Sequence, residues 1–212
     1  MNCKLCNNNT FVIYDKQYDL DYYHCIHCDY IFVNPDSIVS EQEELNIYLL
    51  HQNTLENDGY VNMFRDYINQ TIRPYKSQIK TALDFGSGPG PVLAHLLREE
   101  NIQVEVYDPY FSPEKVYENK HYDLITSTEV FEHLKCPIKT FEILYNCLKP
   151  GGILSIMTLY HPQDTEIFKD WWYRKDITHI SFYSHKTMRY LAEAFNMKIL
   201  LLSPKNLCIM QK

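Results

Sequence analysis

The feature that most constrains this chain is a glycine-rich stretch, Leu83-Asp84-Phe85-Gly86-Ser87-Gly88-Pro89-Gly90. An apolar run closed by an acid leads into the glycines. An amphipathic pattern from Pro91 to Glu100 comes next, with Val92, Leu93, Leu96 and Leu97 on one face. The pattern is strand, glycine loop, helix. Such a loop lets a ligand approach the backbone, and the helix start behind it offers unpaired N–H groups. A nucleoside-type cofactor is the natural occupant. Glycines alone are weak evidence, because turns also need them.

The segments beyond the helix strengthen this expectation. A second apolar run, Val104 to Tyr107, is closed by Asp108, 24 positions beyond Asp84. In dinucleotide folds an acid at the end of the second strand, about 20 residues on, receives the ribose hydroxyls. A third run, Tyr122 to Thr126, leads into Glu129-Val130-Phe131-Glu132-His133-Leu134. A helix expected from Ile138 to Leu148 ends in Lys149-Pro150-Gly151-Gly152, which suits a type II turn, and a strand from Ile153 to Thr158 comes after it. Near the C-terminus a helix from Lys186 to Asn196 precedes two strands, Met197 to Ser203 and Leu207 to Gln211.

From about Thr81 to Lys212 these motifs resemble the class I S-adenosylmethionine-dependent methyltransferases. The likeness is strongest to small members with an E-x-x-E-H segment after the fourth strand and an L-K-P-G-G turn before the fifth. The resemblance implies an α/β, Rossmann-like sheet and S-adenosylmethionine as cofactor. It implies that Asp84, Gly86 and Gly88 line the cofactor's methionine and ribose end, with Ser127 and Glu129 also in contact, and that Asp108 takes the ribose hydroxyls. As structural residues, Asp84 would be a cap and Asp108 a turn residue.

One departure from the family is visible. Only Pro109 to His121 lie between Asp108 and the next strand, and a single parallel crossover takes about a dozen residues. The usual third strand has no room. We expect a shortened sheet, ordered 2-1-4-5 in the family's numbering plus the two final strands, with Pro109, Tyr110 and Phe111 walling the adenine.

The N-terminal part reads differently. Cys3, Cys6, Cys25 and Cys28 form C-x2-C, an 18-residue spacer and C-x2-C, the spacing of a structural zinc ribbon. The spacer contains a β-like run at Thr10 to Tyr14. A redox dithiol is the competing reading, but redox C-x-x-C occurs singly beside a βαβ unit. His24 and His27 flank the second knuckle. After it, Ile31-Phe32-Val33-Asn34-Pro35 resembles the segment behind the N-terminal ribbon of several bacterial methyltransferases, including sugar C-methyltransferases. The organisation expected is a ribbon at 1–36, a helical linker or lid at 37–80 and a methyltransferase core at 81–212. Within the linker, Ser40 and Glu43 form a capping box, and a helix is expected from Tyr60 to Tyr75 with Phe64, Tyr67, Ile68 and Ile72 on one side.

The chain of 212 residues carries a net charge of −7, which argues against long nucleic acid as partner, since phosphate binding is driven by Lys and Arg. It leaves room for a local basic patch. No run of 18 apolar residues and no signal peptide is present, so a soluble, cytoplasmic protein without a membrane partner is expected.

Segments after parallel strands gather where ligands bind, which places Tyr160, His161, Trp171, Trp172, His179 and Tyr183 near the transferred methyl. A hydroxyl or acidic-carbon acceptor needs a general base, and histidine is the usual choice. His179 is the first candidate and His161 the second, with Tyr160 beside them; the tryptophans also read as a plain hydrophobic cover. Three functions remain open. One is methyl transfer to a small-molecule or carrier-borne acceptor, the second an RNA methyltransferase gripping through the ribbon, and the third a non-catalytic cofactor- or partner-binding module. Glu129, Glu132 and His133, with His179 in a D-x-x-H segment, are also similar to the metal-dependent small-RNA terminal 2′-O-methyltransferases, in which two acids and two histidines hold a divalent ion. Many metal-free methyltransferases carry the same E-x-x-E-H, with the His packed near the cofactor.

Overall fold

A computed structural model describes residues 1–50 and 53–212. Two sheets organise them. The larger has six strands in the order β5-β4-β6-β7-β10-β9, where β4 is Thr81–Phe85, β5 Gln103–Tyr107, β6 Tyr122–Thr128, β7 Leu148–Met157, β9 Lys198–Leu202 and β10 Leu207–Gln211. The first four are parallel, and β10 runs antiparallel between β7 and β9. This is the shortened order expected from the sequence. Among the described residues, Pro109 to His121 hold neither strand nor helix.

Alternation along each strand separates two apolar layers. Ala82, Leu124, Ile153 and Ile209 face helices α2 (Asp58–Thr71) and α3 (Val92–Glu99), against Phe64, Ile68, Leu93 and Leu97. Leu83, Ile125, Leu154 and Met210 face α4 (Pro137–Asn146) and α6 (His185–Ala194), against Phe141, Leu144, Met188 and Leu191. The aromatic side chains of Phe85, Tyr107 and Tyr117 cluster beside the short crossover, with centroids 5.0–6.0 Å apart.

Some boundaries differ from expectation. The second linker helix stops at Thr71, and a 3-10 turn covers Arg73–Gln78 with Pro74 in its first turn, because Pro74 has no N–H to continue the α-helical ladder and is tolerated only where a new helical segment starts. The Lys149–Gly152 turn sits inside β7 as a bulge. Pairing jumps from Tyr122↔Leu148 to Leu124↔Ile153, and Gly151 takes φ +79°.

The smaller sheet holds the ribbon: β1 (Phe11–Asp15), β2 (Leu20–Cys25) and β3 (Tyr30–Val33), then β8 (Ser181–Phe182) from far down the chain. Ile31 pairs with Phe182 and Phe32 with Ser181. Cys25, Cys28, Tyr30 and Phe32 share one buried cluster with Leu83, Phe131 and Tyr183, so the ribbon is packed into the body of the protein. A short helix, α5 (Thr165–Asp170), is capped by Asp164 and supplies Phe168 to the apolar cluster on the other side of the ribbon sheet. Among the described residues no helix is long and apolar enough to cross a membrane.

Candidate active site

A cavity of about 580 Å³ opens at the carboxyl ends of β4, β5 and β6, within the size range of cofactor pockets. One end is built by Asp84 to Gly88 and by Asp108 to Phe111. The other is built by Thr128, Glu129, Val130, His133 and His179. Helix α1 (Glu41–Tyr48) contributes Glu44 and Tyr48, and α2 contributes Tyr60 and Phe64.

At the glycine end, Gly86 has φ +83°, and a Cβ there would lie 2.2 Å from Val130 Cγ2. The loop is held from across the sheet: Gly86 N–H donates to the Tyr107 carbonyl at 2.7 Å. Asp84 is buried, and burial pushes its carboxyl up to about 6, although the Thr126 hydroxyl donates to it at 2.9 Å. Asp108 accepts three backbone N–H bonds, from Gly88 (2.9 Å), Tyr110 (2.9 Å) and Phe111 (3.1 Å). A carboxylate has about four acceptor sites, so its capacity for a ribose hydroxyl is one bond.

At the other end, Glu129 takes φ +52°, a left-handed conformation that non-glycine residues adopt at a cost of about 1–3 kcal/mol and that clusters at functional sites. The Tyr173 hydroxyl donates to its Oε2 at 3.0 Å. Glu132 is fully buried and accepts from the Thr158 hydroxyl at 2.7 Å, while its Oε1 has no hydrogen-bond partner among the described residues. Burial pushes both carboxyls up, and for Glu129 the charge of Glu132 adds to it. His133 Nδ1 lies 3.0 Å from the Thr178 carbonyl, and His179 Nδ1 lies 2.7 Å from the Tyr173 carbonyl. A carbonyl can only accept, so both Nδ1 atoms carry protons, which leaves Nε2 as the nitrogen of each ring that can release or take one; it lies 4.0 Å from Glu132 Oε1 in His133 and 3.8 Å from Asp176 Oδ2 in His179. The two rings are 4.8 Å apart. Glu132, His133 and His179 each offer a ligand atom within 4.8 Å of the others. Glu129 stands outside that trio, because the helical turn that carries Glu132 and His133 covers only Phe131–His133, is of 3-10 type and starts two residues after Glu129.

Of the residues expected at the site, Asp84, Gly86, Gly88, Asp108, Glu129 and His179 line this one cavity. Ser127, Tyr160 and His161 do not. Ser127 follows the strand alternation onto the opposite face from Thr126 and Thr128, and is buried. After β7 the chain is drawn away from the cavity: Tyr160 N–H donates to the Lys205 carbonyl and His161 N–H to the Tyr183 carbonyl. His161 then lies between carbonyls, Nε2 2.8 Å from that of Asp29 and Nδ1 3.0 Å from that of Pro162. Trp172 is exposed, Trp171 packs on Phe168 and Phe182, and the Tyr183 hydroxyl donates to the Phe131 carbonyl. Glu44, Tyr48 and Tyr173 carry no sequence signal that marks them as site residues. The capping box announces α1 but not the face it turns to the cavity.

The four ribbon sulfurs converge. Cys3 and Cys28 Sγ are 3.5 Å apart, and Cys6 and Cys25 Sγ 3.4 Å. That is far beyond the roughly 2.05 Å of a disulfide and close to the edge, about 3.8 Å, of a tetrahedron with Zn–S bonds of about 2.3 Å.

The fold and the cavity define a class I methyltransferase. A methyltransferase-domain family model matches residues 59–202; the chain belongs to that family. Solved structures share the fold. A SAM-dependent methyltransferase from Archaeoglobus fulgidus is 16% identical over 72% of this chain and 94% of its own, with TM-score 0.54. Streptomyces venezuelae DesVI is 12% identical over 81% and 98%, with TM-score 0.54. An O-methyltransferase family protein from Burkholderia thailandensis is 14% identical over 81% and 68%, with TM-score 0.50. Curated proteins gave no significant match.

Proposed function

We propose that this protein transfers the methyl group of S-adenosylmethionine to a small-molecule or carrier-borne acceptor. The carrying observation is that one cavity runs from the glycine loop and Asp108 to Glu129 and His179. When bound, the cofactor supplies an electrophilic methyl carbon on sulfur. Asp84, the Gly86–Gly88 backbone and Asp108 bind and orient its ribose and methionine end, with Tyr110 and Phe111 against the adenine. Most of the rate then comes from holding the acceptor in line. His179, its Nδ1–H given to the Tyr173 carbonyl, takes the acceptor's proton at Nε2. The four ribbon thiolates hold a structural zinc with no open position, and reduced thiols fit a cytoplasmic setting. The acidic chain, with only Lys4 and Lys16 as basic residues before Asn34, favours a small acceptor over RNA.

Titration calorimetry with S-adenosylmethionine tests the binding, and labelled methyl transfer to a metabolite library tests the reaction. Micromolar binding and labelled product are expected. No binding at millimolar cofactor overturns the reading, and binding without any transfer favours a non-catalytic module.

A second reading adds a divalent ion held by Glu132, His133 and His179. It is favoured by the two Nδ1 bonds to carbonyls, which orient imidazoles as metal ligands are oriented, and by the buried Glu132 Oε1, which has no hydrogen bond among the described residues and lies 4.0 Å from His133 Nε2. Carboxylate with two imidazoles suits Mn²⁺, Fe²⁺, Co²⁺ or Zn²⁺, and such an ion would lower the pKa of an acceptor hydroxyl. The test is Mn²⁺ titration after mild chelation, in wild type and His179→Ala. Binding lost in the variant supports the ion; equal binding, or none in either, removes it.

A further inference from the structure

The sheet ends at β5, so among the described residues no neighbouring strand builds the rim of the cavity beyond Asp108. Two other pieces of chain do. The first is the turn after β5, closed by paired backbone bonds between Asp108 and Ser112, 3.0 Å each way, which sets Tyr110 and Phe111 into the cavity wall. The second is α1. Its Glu44 lines the same wall, with Oε2 accepting the Tyr110 hydroxyl at 2.8 Å and Oε1 the Tyr48 hydroxyl at 2.7 Å. The Tyr48 ring lies 5.6 Å from that of Tyr110 and 5.3 Å from that of His133. Tyr110 therefore ties the two carboxylates together, its N–H donating to Asp108 and its hydroxyl to Glu44.

We propose that Glu44 reads the cofactor's base: its carboxylate, brought by α1 instead of by the sheet, accepts the adenine amino group while Tyr110 and Phe111 offer the aromatic faces for stacking. The chemistry is specific. Each Glu44 oxygen accepts one tyrosine hydroxyl, and a carboxylate has about four acceptor sites, so it keeps capacity for an exocyclic N–H₂ donor. Two tyrosine bonds fix its orientation beforehand, which lowers the ordering cost of binding. A base with a carbonyl in place of the amino group would set oxygen against oxygen. This assignment rests on the S-adenosylmethionine reading.

The test compares S-adenosylhomocysteine with its 6-oxo analogue, S-inosylhomocysteine, by calorimetry, so no turnover is needed. Wild type is expected to bind the adenine form about tenfold or more tightly, the range of a hydrogen bond to a charged group. Glu44→Gln carries both a donor and an acceptor, and should bring the two affinities within about threefold. Tyr110→Phe removes a brace but keeps the acid, and should retain the preference while weakening both ligands. If wild type binds both ligands equally, or Glu44→Gln keeps the wild-type ratio, Glu44 is only a brace and the assignment falls alone. If wild type binds neither ligand, the cofactor reading falls and takes the assignment with it.

Discussion

The hydroxyls of Tyr30 and Ser181 lie 2.6 Å apart, although 151 positions separate them in the chain. The bond joins the cysteine ribbon to the segment that carries His179. Beside it, Val33 N–H donates to the Ile180 carbonyl at 3.0 Å, and Ile180 N–H donates to the Glu132 carbonyl at 2.8 Å. Ribbon and site are thus two hydrogen bonds apart.

Replacing Cys25 and Cys28 by Ser should therefore do more than release about one zinc. Hydrogen exchange should quicken at Val33 and, with it, at Ile180, while amides of β4 and β6 stay protected. Unchanged exchange at Ile180 in a variant that has lost its metal would show that the site stands without the ribbon.

Arg174 is a second tie. Its guanidinium lies 2.6 Å from Asp15 Oδ2, with side-chain exposures of 1% and 5%, and Nη1 and Nε donate to the Tyr22 hydroxyl and the Phe168 carbonyl, 3.0 Å each. Arg174→Ala strands a buried carboxylate and should cost about 3–5 kcal/mol in urea unfolding. Adding Asp15→Leu to Arg174→Met should recover most of that loss. A single variant within about 1 kcal/mol of wild type would mean that water reaches Asp15.

The pH dependence of stability should carry the mark of Asp84. Burial raises its carboxyl from 3.8 to about 6, so the folded state holds this proton more tightly than the unfolded chain does. Stability contributed by the protonated form is complete below about pH 4 and is lost as pH rises through about 6, on the order of 3 kcal/mol. Asp84→Asn keeps an acceptor for Thr126 and removes the titration. Its denaturation midpoint should gain on wild type between about pH 4 and 6; parallel curves would show that Asp84 ionises alike in both states.

Two glycines separate backbone strain from contact. Gly86 and Gly151 both have positive φ, but a Cβ at Gly151 meets nothing within 4 Å, whereas one at Gly86 meets Val130. Gly151→Ala should cost about 1–2 kcal/mol. Gly86→Ala should cost more, and Val130→Ala should relieve part of the excess. Equal losses would mean that Val130 moves aside freely.

The six-stranded sheet was legible because its inner strands β4, β6, β7 and β10 are largely buried on both faces and the strands are separated by well-marked turns. Counting the residues from Pro109 to His121 was enough to remove the third strand. The same residue patterns could not show β8, since two residues carry no alternation. Nor could they show where the chain goes after β7. Tyr160 and His161 sit in a segment that comes after a parallel strand, yet Tyr160 is bonded to Lys205 in the turn between β9 and β10, and His161 to Tyr183 and to Asp29 of the ribbon. Glu44 left no trace, because α1 buries no residue fully and a helix without an apolar stripe gives no facing direction.

The two-residue strand β8 also sets an order of events. During synthesis the ribbon is made long before Ser181 and Phe182 exist, so the free edge of β3 waits while the rest of the chain is built. An open edge is a template for pairing with another molecule, and contacts between residues this distant in sequence form slowly. The emerging chain is most prone to self-association in that interval, which closes when β8 docks.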